Sequence, residues 1–103
     1  MKIIAELADY IKDEAKGARK YAKMAEKYKI ENKELSDMFL ALATTELEHL
    51  DKLHAWVVRC IAQEKSSGKQ IPQDMLYVWE YEHGQMIDEI VETKNLVEVV
   101  KKR

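Results

Sequence analysis

Backbone breakers are scarce in this chain, with three glycines and one proline among 103 residues. That excludes the turn-rich sequence of a β-barrel and the low-complexity tracts of a disordered protein. No stretch approaches the roughly twenty apolar residues of a membrane span, so no membrane partner is expected. A single cysteine, Cys60, rules out an internal disulfide; it lies on an apolar stripe, where it serves as a small hydrophobe. Neither sign of charge prevails. Seventeen basic against nineteen acidic residues leave a net charge of -2, so there is no global reason to bind nucleic acid, and Lys101, Lys102 and Arg103 form too short a cluster to change that. The segment from Met1 to Tyr10 carries Glu6 and Asp9 where a secretory leader would be continuously apolar, which makes the cytoplasm the expected location. Internal repeats are also lacking.

What is abundant is helix-forming material, 47% apolar and 35% charged. The composition predicts an all-α fold, and the length suits one domain over residues 1–103. Apolar heptad stripes predict three helices, over about residues 2–29, 33–65 and 72–101. Asn32 or Ser36 can cap the second, with Glu34 in its first turn if Asn32 is the cap. Ser66 to Gln70 reads as a loop, and Pro72 suits the first turn of the third helix. Helices this long favour bundle packing. The second helix bears two adjoining apolar rows. One runs Leu35, Phe39, Leu42, Glu46, His49, Leu53, Trp56, Cys60 and the other Leu40, Ala43, Leu47, Leu50, His54, Val57, Ile61. It should therefore be buried on two sides, by the other helices or by a second copy of the chain.

Ionisable residues interrupt the stripes only near their middles. The first, Ile4, Leu7, Ile11, Glu14, Ala18, Tyr21, Ala25, Tyr28, is broken by Glu14 alone. The third, Leu76, Trp79, His83, Met86, Ile90, Thr93, Val97, Val100, is broken by His83. Glu46 and His49 interrupt the second, and all of these are expected at core positions. A carboxylate there is costly unless paired or bound to a cation. Glu46 and His49, three apart, point from one face of a helix into the same space. If the first two helices turn back on each other near residues 30–33, Glu14 and His49 each lie about seventeen residues from the turn, roughly 25 Å along the axis. They arrive at one height. A carboxylate from one helix with a carboxylate and an imidazole from the next is half of a carboxylate-bridged di-metal ligand set, and a two-fold axis would supply the other half.

Through Ile11-Lys12-Asp13-Glu14-Ala15, Ala18-Arg19-Lys20-Tyr21-Ala22 and Thr45-Glu46-Leu47-Glu48-His49-Leu50, the chain resembles the ferritin-like superfamily, specifically the first half of a rubrerythrin or bacterioferritin-type domain. The resemblance implies a ferritin-like bundle completed by homo-oligomerisation, with Glu14 as terminal carboxylate, Glu46 as bridging carboxylate and His49 as imidazole ligand. It implies iron or manganese as cofactor and, with iron, oxidation of Fe(II) by dioxygen or peroxide. The chain departs from a full domain of that family in lacking a fourth helix. As a whole it also resembles small ferritin-like proteins of phages and prophages of Firmicutes, a likeness that implies no particular activity.

Glu80 and His83 make a further Glu-x-x-His pair, which would complete a metal site within one chain. Their predicted height is less favourable, offset from His49 by roughly 8 Å. Other readings remain open. Glu14 can be a register residue that reaches water or a lysine. Glu46 with His49 can be a metal-free hydrogen bond, and His83 and His54 satisfied core histidines. The rival function is a metal-free interaction module that self-assembles or, in a phage setting, binds a host protein.

Overall fold

The computed structural model describes residues 2–68 and 73–103, with side chains throughout except at positions 2, 74–79, 81 and 82. Three helices account for nearly all of them: α1 Lys2–Tyr28, α2 Lys33–Ser66 and α3 Gln73–Lys102. Every end lies within one residue of its expected position. No strand occurs among the described residues, and no helix there is long and apolar enough to cross a membrane. The loop starts one residue later than expected, because Ser66 closes α2, and it opens with Ser67 and then Gly68, at whose φ of 78° glycine is favoured. Lys69, Gln70 and Pro72 lie outside the described residues, as do the side chains of Leu76 and Trp79 on the third stripe.

The Cα trace measures 56 × 18 × 18 Å. Since α2, at 34 residues, is itself about 51 Å long, the three helices must lie side by side along it. Of the two candidate caps the structure uses Asn32, whose Oδ1 accepts from the Leu35 N–H at 3.1 Å. Ser36 has another task. Its buried hydroxyl donates to the carbonyl of Ala25 at 2.6 Å, in the last turn of α1 where carbonyls lose their helical partners. This contact ties the end of one helix to the start of the next. Ser36→Ala is expected to lower stability by about 1–2 kcal/mol, read as a reduced urea midpoint with an unchanged slope.

α1 buries an alanine row, Ala15, Ala18, Ala22 and Ala25, together with Ile4 and Ile11. Small side chains let helix backbones approach closely, and α1 and α2 share the most extensive contact in the molecule. They run antiparallel. Ser36 meets Ala25, Phe39 stacks with Tyr28 and Tyr21 at 6.4 and 6.2 Å, and His49 meets Glu14. Among the described residues α3 leans more on α1 than on α2. Met86, Thr93, Val97 and Val100, the buried residues of α3 among those described, belong to the expected stripe.

On α2 the two rows exchange the weight that the heptad reading assigned them. Leu40, Ala43, Leu47, Leu50 and Val57 of the second row are buried. The row through Glu46 and His49 is half-open, with Leu42 and Trp56 exposed. The reason is where α3 lies. Arg19 of α1 forms an ion pair with Glu89 of α3 at 3.7 Å, and five residues turn a helix by about 140° from Glu14. α3 therefore covers the flank of the α1–α2 pair away from Glu14, and the nearer flank is left open at Leu42 and Trp56.

Candidate metal centre

Glu14, Glu46 and His49 come together on that open flank, each offering a donor atom within 4.8 Å of the others. Among the described residues no other group of three His, Cys, Asp or Glu side chains is so placed. The antiparallel hairpin brings Glu14 and His49 level, 35 residues apart in sequence, with Nδ1 of the imidazole 3.4 Å from Oε2 of the carboxylate. Glu46 lies one turn before His49 on α2. Its carboxylate extends over Gly17 of α1, where a Cβ would sit 3.7 Å from Oε2 and 3.9 Å from Cδ. The glycine, one turn beyond Glu14, leaves the surface of α1 low enough for Glu46 to reach across.

The three are not core residues, as the heptad positions had suggested. Glu14 and Glu46 are half-buried, and the His49 side chain is 47% exposed.

Does this set fit a divalent cation? Donor atoms each about 2.1 Å from a common ion lie about 3.0–4.2 Å from one another. The Nδ1 to Oε2 separation of 3.4 Å falls in that range and is long for a strong hydrogen bond, which centres near 2.9 Å. The outer spacing of 4.8 Å exceeds it slightly, within reach of small side-chain rotations. Two hard carboxylates and one imidazole suit Fe(II) and Mn(II) better than a soft ion. The residues fit.

Glu80 and His83, the further ligands expected from the third helix, do not join this group. The reason is the placement of α3 on the opposite flank. Glu80 is exposed, and His83 meets His54 of α2, Nε2 to Nε2, at 3.2 Å. His54 follows His49 by five residues, about 7.5 Å along the axis and about 140° around it. The height offset predicted for His83 is thus met by a different partner. Burial, and then the neighbouring His54, hold the His83 imidazole below its ordinary pKa, so it favours the neutral form. His54 is expected from the sequence only as a satisfied core histidine, and its pairing with His83 is not foreseen there. Its signal was available, since it is the one polar break in the row that proves to be the core face of α2. Cys60 is free and half-buried, consistent with packing.

No family model, no curated protein and no solved structure matches this chain.

Proposed function

We propose that the chain is a ferritin-like half-domain that binds iron or manganese through Glu14, Glu46 and His49, in a di-metal centre shared between two copies. The observation that carries this reading is the convergence of three metal-competent donors within 4.8 Å on an open flank. Charge supports the pairing of chains. One chain brings two carboxylates and one imidazole, and two chains bring four negative charges, which match two divalent ions. The open flank bears exposed Leu42 and Trp56 beside the donors, so a second copy would cover apolar surface as well as supply ligands.

Bound as Fe(II), the metal would supply electrons to dioxygen or peroxide and become Fe(III). The chain's own part is to bind and orient. Glu14 supplies a carboxylate from α1, Glu46 one from α2 that reaches across the seam, and His49 the neutral imidazole that fixes one side of the site.

The test is anaerobic titration of metal-stripped protein with Fe(II) or Mn(II), with assembly mass followed in parallel. The reading expects about one ion per chain and a dimer that tightens as metal is added. With iron, admission of air should then raise a ferric absorption band. Uptake no greater than that of a Glu46→Gln variant would end it. The rival, a metal-free module that self-assembles or binds a host protein, draws on the same exposed Leu42 and Trp56 and expects dimerisation indifferent to metal.

Gly17 offers an independent check. Alanine there meets Glu46 only at ordinary contact distance and removes a helix-interior glycine, so Gly17→Ala should stabilise by up to about 1 kcal/mol with metal uptake unchanged. Gly17→Leu should push the Glu46 carboxylate off the seam and abolish uptake while the helices persist. Thermal melts and Mn(II) titration of the two variants read both effects.

A further inference from the structure

Among the described residues the contact between α2 and α3 is the smallest of the three helix pairings, and it carries a pair of imidazoles. His54 and His83 are each half-buried, their rings 4.7 Å apart and inclined at 53°, with Nε2 facing Nε2 at 3.2 Å. Two nitrogens so placed can share one hydrogen bond, if one carries the proton and the other presents a lone pair. They can also hold one ion. Nitrogens each about 2.0–2.1 Å from a common ion lie roughly 2.8–3.0 Å apart on the edge of a square site and roughly 3.3–3.4 Å apart in a tetrahedral one, and 3.2 Å lies between the two.

We infer that His54 and His83 form a second metal site, separate from the carboxylate seam, which takes a borderline divalent ion such as Cu(II), Zn(II) or Ni(II) and clips α3 to α2. Three features support it. The donors come from two helices that share the smallest contact among the described residues, so an ion held between them adds a cross-link between α2 and α3. The depressed pKa of His83 favours the neutral imidazole, which is the ligating form. Finally, the donor chemistry differs from that of the seam. No described carboxylate joins the pair in a three-residue group. A pair of imidazoles favours copper, nickel or zinc, whereas Glu14, Glu46 and His49 favour iron or manganese. The two sites would sort metals by ligand hardness, on opposite flanks of α2.

The probe is Cu(II) alone, added at one equivalent to the full chain and followed by electron paramagnetic resonance. The unaltered protein and the His49→Gln variant are both expected to show splitting from two imidazole nitrogens. His54→Gln and His83→Gln should each lose that pattern and bind Cu(II) at least about tenfold more weakly. A one-nitrogen pattern that disappears in His49→Gln and ignores His54→Gln would overturn the inference, and it would do so without touching the iron or manganese reading. Should the His54 and His83 variants fail to fold, Zn(II) titration of the unaltered protein serves, monitored by imidazole nitrogen resonances. Joint shifts of His54 and His83 support the site; movement of His49 alone, or of none, refutes it.

Discussion

Glu46→Gln should lose Fe(II) or Mn(II) binding by at least about a hundredfold, because even groups one step removed from a metal cost about ten- to a hundredfold when deleted. The substitution keeps the shape of the side chain and removes one of the two charges that balance the ion. Its effect on the metal-free fold should have the opposite sign. Glu14 and Glu46 hold their donor oxygens within 4.8 Å of each other, and like charges at that distance repel. In a half-open site the relief on neutralising one of them is less than about 1 kcal/mol, but it is a gain. A metal ligand should thus show greater stability without metal and no stabilisation by metal. In the unaltered protein, an ion at a hundred times its dissociation constant adds about 2.7 kcal/mol. Urea unfolding of both proteins, with and without Mn(II), separates the cases. A Glu46→Gln variant that is less stable without metal, and still stabilised by Mn(II), would mark Glu46 as a structural hydrogen-bonding residue.

The helices were legible in the sequence almost to the residue, and the reason is physical. Their stripes are long, the breakers are confined to a few positions, and Asn32 combines a side-chain cap with an acidic first turn at Glu34. The antiparallel hairpin followed from the short turn, and with it the level meeting of Glu14 and His49. What periodicity does not state is which of two adjoining rows on α2 faces the core. Both rows are apolar at helical spacing, and the choice depends on which flank α3 takes. That is decided by contacts such as Arg19 with Glu89, between residues 70 apart, and by the buried fit of Met86, Thr93, Val97 and Val100.

The same ambiguity governs the site. Glu46 and His49 interrupt the row that turns out to be half-open, so the interruption is less costly than a core position would make it, and their argument rests on convergence with Glu14 rather than on burial. His54 and His83 interrupt faces that do pack, and they met each other because α3 runs antiparallel to α2 on the covered flank. A Glu-x-x-His spacing at residues 80 and 83 mimics the spacing at 46 and 49, yet among the described residues only the latter forms a three-residue group with a carboxylate from α1. Spacing along one helix is local information. Which helix stands opposite is not.

Leu50→Ala and Trp56→Ala should separate the two faces of α2 by a wide margin. Leu50 is 1% exposed in the centre of the core, and truncating a buried leucine costs about 2–5 kcal/mol through lost transfer energy and the cavity left behind. Against a total of about 5–15 kcal/mol for a small domain, that is a large share, visible as a collapse of the urea midpoint. Trp56 is the larger side chain, and by size alone it should matter more. It is, however, 55% exposed, with the Arg59 guanidinium 4.9 Å over its ring, a contact worth about 0.5–1 kcal/mol at such a site. Its removal should leave the fold of the single chain within about 1 kcal/mol of the original. The effect should appear in association instead. If a second copy covers the open flank, Trp56 is buried there, and aromatic anchors at the centre of an interface cost about 2 kcal/mol or more on truncation, a rise of roughly thirtyfold in the dimer dissociation constant. Because the donors share that flank, metal affinity should fall with it even though Trp56 lies two turns beyond His49. Sedimentation with and without Mn(II) reads both effects. A Trp56→Ala protein that unfolds as readily as Leu50→Ala would return Trp56 to the core, and one that dimerises and binds metal as before would leave the open flank of α2 without its second copy.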